Sequence, residues 1–397
     1  MSAVSDQIAP ASEEKAPATA ATEPVAPAAS NPHLLIDQMI STYLSKDKMW
    51  GIKKLNSEYP ELSPQFEPNL NLCRYRLAKR ATTIARYMND MIVDIDKAVI
   101  VNFAPEPAET ISCSDALKRL RDCDGPFVVT PIFEGFVIYV FYMRDHWMGT
   151  SDAEIDASKD DLCGTSAFDR FRSVINIDEL NKNYCYTFIV HENELMHITG
   201  SSTFAECLFT FNLETNTIVT EKGEPADKLK VRELIEETRA AFDHEATGAR
   251  IIGYNIRYGK ALYCVYKQFF VDATTCVQQD VPIYRLSPSD VVMYALRINT
   301  TYKVAFYFYP LRSAIAELVK AINGLAAKIV QSVNQDTSIP AAPVIQHFVQ
   351  QLTIYKRMTA GAFTVDVSSI TKMIIADPLV LCHIMENVAK LSLKKLK

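Results

Sequence analysis

The sequence predicts an α+β protein: an antiparallel-sheet domain followed by a smaller all-α domain. Three observations predict it. Between Leu72 and Asp280, short runs rich in β-branched and aromatic residues alternate with turns that contain Gly or Asn. Within that stretch Asp227 to Phe242, DKLKVRELIEETRAAF, has the spacing of an amphipathic helix. From Ser287 onward the apolar residues recur at helical spacing. The boundaries that follow are an Ala/Pro-rich tail over residues 1–31, a sheet domain over 32–285 and a helical domain over 286–397.

The tail has no aromatic residue and no leucine. It cannot bury enough apolar surface to offset the entropy of ordering, so it is expected to be disordered. Order begins near Pro32, where Leu34, Leu35, Met39, Ile40 and Leu44 have helical spacing. The basic stretch Asn71 to Tyr87 carries Arg74, Arg76, Lys79, Arg80 and Arg86, interleaved with Tyr75 and Tyr87. It reads as a helix face turned to water or to nucleic acid. Met91 to Phe103 reads as two strands around an Asp-Ile-Asp-Lys turn, and Ser114 to Arg121 as a short helix capped by Ser112 or Ser114.

The stretch around which the chain is organised is Phe127 to Thr150, FVVTPIFEGFVIYVFYMRDHWMGT. It predicts strand, tight turn at Glu134-Gly135, strand, short turn, strand, because Gly accepts backbone angles that other residues avoid. Asp152 to Asp161 is acidic and expected at the surface, and Phe168 to Leu180 is a helical connection. Cys185 to Val190 is a strand, and HENE turns it into another, LMHITG. Glu206 to Val219 is a strand with an Asn-containing turn. In Asp227 to Phe242, Leu229, Val231, Leu234, Ile235 and Phe242 are placed inward. Arg250 to Phe270 is a hairpin turning at Tyr258-Gly259-Lys260. In the helical domain, Ser and Pro open SPSDVVMYAL, and further helices span Leu311 to Val333, Ile345 to Met358 and Pro378 to Leu396. The aromatic run Thr300 to Leu311 reads as a buried hairpin or a protein interface. The lysines of the last turn suit a helix C-terminus.

Composition excludes several classes. A net charge of −6 advertises no polyanionic partner, so nucleic-acid binding would need a local basic patch. The nine cysteines form no CxxC pair, which argues against zinc, and their odd count suits reduced thiols in an intracellular compartment. The apolar runs are strand-length, so no membrane partner is expected. His191, Glu194 and His197 lack tight ligand spacing, and Asp94 with Asp96 suits a turn flank better than a metal pair. Cys264, between Tyr263 and Tyr266, has no histidine near it in sequence and is expected as a buried thiol. No metal site is expected.

The order of pieces from Leu72 to Asp280 resembles the adenylyltransferase domain of ATP-dependent RNA ligases of the phage and viral type, a nucleotidyltransferase fold. In that family a Lys-x-Asp/Glu-Gly motif supplies a lysine that attacks the α-phosphate of ATP. The matching stretch here is Ile132-Phe133-Glu134-Gly135, with Ile132 in the lysine position. The resemblance places Thr187 where an acid would stand, in a strand whose turn keeps Asn193, and Ile252 at the glutamate of the fourth motif. Cys264 and Tyr266 occupy the two lysine positions of the fifth. Lys267 lies one residue further, which a period of two puts on the opposite sheet face. The family's basic turn after the central strands corresponds to Thr150-Ser151-Asp152-Ala153, which has gained an acid and lost a base.

The resemblance therefore implies a catalytically inactive RNA-ligase-like protein that works by binding RNA, a nucleotide or a protein partner, and needs no cofactor. The expected contacts are Glu134, Gly135, Arg257 and Lys267 in the old cleft and Arg74, Arg76, Lys79 and Arg80 in the basic stripe. One alternative is an active RNA or polynucleotide ligase with a displaced lysine such as Lys267, using ATP and Mg²⁺. Another is a self-assembling structural component, for example of a virus particle. The expected location is the cytoplasm of a cell or host cell, or the virion.

Overall fold

A computed structural model of the chain describes residues 31–45, 47–78, 83–192, 195, 198, 203–240, 251–259, 261–277, 282–308, 311–335, 337, 341–359 and 365–392. The tail before residue 31, Lys79, Arg80, Asn193, Glu194, His197, Phe242, Lys260, Lys394, Lys395 and Lys397 lie outside them. The protein is α+β, with antiparallel sheets followed by a helical region.

Helix α1 (Pro32–Leu44) has Pro in its first position and is capped by Asn31, whose side chain accepts the His33 N–H. Helix α2 (Lys48–Glu58) follows. Strands β1 (Leu62–Glu67), β2 (Leu72–Leu77), β3 (Met91–Asp94) and β4 (Val99–Asn102) form one antiparallel sheet in that order, with α3 (Thr83–Tyr87) between β2 and β3. The basic stretch is thus half strand. Arg74 and Arg76 sit on β2, paired through the backbone to Gln65 and Ser63 of β1, not on a helix face. The β3–β4 turn is as expected, and Asp94 holds it by accepting the N–H groups of Asp96 and Lys97.

The next elements are β5 (Glu109–Thr110), α4 (Cys113–Arg121), β6 (Phe127–Phe133), β7 (Phe136–Met143) and β8 (His146–Ser151). Ser112 caps α4 by accepting the Asp115 N–H. Here the structure corrects one expectation: β6 and β7 do not form a hairpin. β6 pairs with β15 (Ile251–Tyr258) and β14 (Glu224–Ala226), whereas β7 pairs with β8 and with β11 (Tyr184–His191). Glu134-Gly135 carries the chain from one sheet to another. The β7–β8 connection is a true hairpin, with Arg144 and Asp145 both at positive φ, 52° and 63°.

β9 (Asp161–Leu162) and β10 (Thr165–Ser166) make a two-stranded ribbon before α5 (Ala167–Val174). The expected exposure of Asp152 to Asp161 holds only in part. Asp160 is buried, because Arg285 reaches it with Nη1 at 2.6 Å and Nη2 at 2.7 Å. After β11, Leu195 and Ile198 lie in bends, not in the expected strand. β12 (Phe204–Asn212) and β13 (Thr217–Glu221) complete a five-stranded sheet ordered β13-β12-β11-β7-β8. Helix α6 (Lys228–Glu237) then precedes β15 and β16 (Ala261–Tyr266), and the second five-stranded sheet runs β14-β6-β15-β16-β5. Val231 and Ile235 of α6 are buried as expected, but Leu229 is 66% exposed. It stands in the first turn, beside neither of them on the buried stripe.

The helical region comprises α7 (Gln268–Thr275), α8 (Pro288–Arg297), α9 (Thr301–Tyr307), α10 (Arg312–Gln335), α11 (Pro343–Met358), α12 (Val367–Ala376) and α13 (Pro378–Ser392). α8 opens with a capping box between Ser287 and Asp290. Thr300 to Leu311 is mostly helix, not hairpin. Val304 and Phe308, four residues apart, are buried in the helical core, and Tyr302 and Phe306 face water. Among the described residues no single helix is long and apolar enough to cross a membrane.

Among the described residues, four apolar clusters hold these layers. The one under α1 joins the first sheet to Phe141, Phe209 and Phe211 of the second. His33 is buried there, edge-on to Tyr87 and Phe103 at 5.4 and 4.9 Å. Burial lowers its pKa from 6.5 to about 4. Between those values the unfolded chain takes up a proton that the folded chain refuses. The stability this position contributes is therefore complete above pH 6.5 and is lost as pH falls towards 4. Urea titrations at neutral pH and near pH 4 are expected to differ by a share on the order of 2 kcal/mol that disappears in His33→Phe. The same difference in the variant would assign the acid sensitivity elsewhere.

Candidate functional site

A cleft with a cavity volume of about 590 Å³ lies between the two five-stranded sheets. That is within the usual range for small-molecule sites. Glu134 and Gly135 of the crossover line it, as do Phe270 and Thr274 of α7 with Ile283 and Tyr284. The sheets present alternate residues to it. On the β6–β15–β16 sheet, Phe127, Val129, Tyr254, Ile256 and Val265 pack behind, against α4 and α6. The opposite face, with Thr130, Ile132, Asn255, Arg257, Leu262 and Tyr266, lines the cleft.

Three positions singled out by sequence converge here. Ile132, Ile252 and Tyr266 share the wall. Ile252 does so through a register shift between Ile251 and Gly253, since strict alternation would set it with Tyr254 behind the sheet. Tyr266 stacks on Phe270 of α7, with ring centroids 5.6 Å apart. Cys264, two residues before Tyr266 on the same strand face, is buried and does not line the cavity; burial pushes its thiol up to about 11, so it stays protonated at neutral pH. Thr187 is not in the wall: it is 1% exposed beneath it, opposite Tyr139 and Phe209 in the sheet. Ile189, two residues on and on the same face, is the β11 side chain that reaches the cavity.

The charged positions are all engaged. Arg257 meets Glu106 at 3.3 Å and Glu221 at 2.7 Å. Glu134 accepts the Ile198 N–H at 2.8 and 2.9 Å, and its own carbonyl accepts from His191 Nδ1 at 3.0 Å. Lys267, expected as a contact in the cleft, is not one: it turns to the opposite face, where its one-residue offset from Tyr266 puts it. Its ammonium lies 2.8 Å from Glu237 and faces Tyr254, behind the sheet. In the basic stripe, Arg74 is fully buried. It donates to Gln65 at 3.2 Å and to the carbonyls of Ser151 and Asp152. Arg76 holds Asp90 at 3.1 Å and the Asp152 carbonyl, and Arg86 holds Glu106 at 3.0 Å. These described arginines brace the chain's interior; Lys79 and Arg80 lie outside the described residues.

Sequence reasoning missed Lys222. It lines the cleft, pairs with Glu206 and lies 5.1 Å from the Phe133 ring centre. Burial lowers its pKa from 10.5. It lies in TEKGEP, a stretch between the elements read from the sequence, and the pairing of β14 with β6 brings it to the cavity. Asp94 and Asp96 act as a turn and an ion-pair partner, the latter 3.1 Å from Lys48. Among the described residues no group of three or more His, Cys, Asp or Glu is placed to hold a metal ion.

No family model matches the sequence, and no curated protein matches it. Among solved structures, one described as "Putative ATP-dependent DNA ligase from Aquifex aeolicus" is similar at a TM-score of 0.37 and 11% identity, over 68% of this chain and 78% of its own. Two forms of an archaeal ATP-dependent RNA ligase give TM-scores of 0.40 and 0.39 at 8% identity, each over 83% of this chain and 94% of its own. Likenesses of this size carry no argument for a shared fold or activity. The meaning of the cleft rests on the residues that line it.

Proposed function

We propose that this chain is a catalytically inactive nucleotidyltransferase-like protein that works by binding in the cleft between its two five-stranded sheets. One observation carries the reading. Ile132, Ile252 and Tyr266, far apart in sequence, come together on one cavity wall. These are positions where the resemblance to RNA ligases implies a nucleophilic lysine, an acid and a second lysine. Apolar and aromatic groups there cannot attack a phosphate or stabilise its developing charge. What they offer is a surface for a ligand.

The test is covalent nucleotidylation. Folded protein incubated with labelled ATP or GTP and Mg²⁺ or Mn²⁺, then run under denaturing conditions, is expected to give no labelled band. A band would overturn the proposal and establish the displaced-lysine alternative. Mapping it would distinguish Lys222, which faces the cavity, from Lys267, which is held behind the sheet by Glu237.

A further inference from the structure

The balance of charge in the cleft narrows the ligand further. Arg257, Lys222 and Arg86 are the cations at or behind its polar side, and Glu221, Glu206 and Glu106 are their carboxylate partners. Three charges cancel three. The remaining carboxylate, Glu134, is satisfied by the Ile198 backbone. A phosphate could recruit Arg257 only by taking it from Glu106 and Glu221. Glu106 would keep Arg86, but Glu221 would then stand unpaired beside a new anion, a costly arrangement in a partly buried site. The apolar wall asks no such exchange. Ile132, Ile189, Ile252 and Tyr266 offer area to any uncharged group.

One polar group in the wall is uncommitted. Asn255 lies in the middle of β15, and its side chain makes no hydrogen bond with another described residue. Its neighbour Thr130, by contrast, donates to the Lys222 carbonyl at 2.6 Å. An amide with both a donor and an acceptor, set in an apolar wall, is the usual means of fixing the orientation of a ligand.

We propose that the cleft takes an uncharged, largely apolar small molecule with one hydrogen-bonding edge, oriented by Asn255, and that it does not take a nucleoside phosphate. This rests on the reading that the cleft binds without nucleotidyl transfer. The two fail separately: a covalent adduct defeats both, whereas reversible binding of ATP in the cleft defeats only this one.

The probe is Nile red, an uncharged aromatic dye with a ring carbonyl, titrated into the full-length protein. Saturable binding with blue-shifted emission is expected. Ile132→Glu should weaken it at least about tenfold, because a carboxylate would have to be buried against the dye. Asn255→Leu should shift the bound emission further to the blue, through loss of the hydrogen bond to the carbonyl. ATP with Mg²⁺ should not displace the dye. Displacement by ATP, absence of saturable binding, or equal affinity in Ile132→Glu would each overturn the proposal. Unchanged emission in Asn255→Leu would overturn the role of that residue. Circular dichroism and thermal melts of each variant separate a lost site from a lost fold.

Discussion

Arg74→Glu is expected to remove about 3–5 kcal/mol of stability, enough to unfold a marginal domain. The side chain is fully buried, and its guanidinium meets Gln65 and the carbonyls of Ser151 and Asp152, with Asp90 at 3.9 Å. Burial, with Arg76 beside it, brings its pKa down to about 10, so it remains charged at neutral pH. Reversal would set a buried carboxylate against Asp90 and two carbonyl oxygens. The β8–β9 connection would lose its anchor. That connection also carries Asp152 and Asp160, the partners of Arg285, so the strain would reach the start of the helical region. Urea denaturation measures the effect. Arg232→Glu, on the exposed face of α6, is the control and should stay within about 0.5 kcal/mol. Equal midpoints for the two variants would show that Arg74 is not buried in solution. Such a result would return it to the surface stripe that a nucleic-acid reading needs. With Arg74 buried, loss of RNA binding in this variant would report unfolding and not a lost contact.

Gly135→Ala should cost roughly 2–6 kcal/mol, the sum of overpacking and backbone strain. Gly135 has a φ of +154°, and a Cβ there would lie 2.3 Å from the Val190 carbonyl oxygen and 2.9 Å from its carbon. Both are backbone atoms of β11, held in register with Phe136 of β7. They cannot yield without opening the ladder beside the cleft. Gly164→Ala is the matched control. It also has positive φ, +88°, but nothing lies within 4 Å of its Cβ position, so it should cost only about 1 kcal/mol. Thermal melts of the two variants decide. A Gly135→Ala protein as stable as Gly164→Ala would mean that the crossover is looser than the close approach to Val190 implies.

Much of the local structure was legible in the sequence, because it depends on neighbours in the chain. The β3–β4 turn follows from an Asp that can cap two N–H groups. The caps of α4 and α8 follow from Ser three residues before Asp. The rearward direction of Lys267 follows from the period of two, applied one residue beyond Tyr266. Of the five motif positions that the resemblance named, Ile132, Ile252 and Tyr266 share the cavity wall, whereas Thr187 and Cys264 do not.

What could not be read depends on partners distant in the chain. Glu134-Gly135 looked like a hairpin turn, since a Gly between two strands says nothing about which strands they pair with. Arg74 looked like a surface charge, because its compensation comes from carbonyls more than seventy residues away. Thr187 and Ile189 share a strand face, and only the depth of the cavity decides that Ile189 lines it. Lys222 and Asn255 gave no local signal at all. By itself, then, the sequence determined most of the helices, several strands, the caps of α4 and α8 and the face of Lys267, because periodicity and turn chemistry act over a few residues. The tertiary structure alone decided which strands meet, which charges cancel and which side chains share the cleft, because those outcomes depend on ladders and ion pairs closed across long loops.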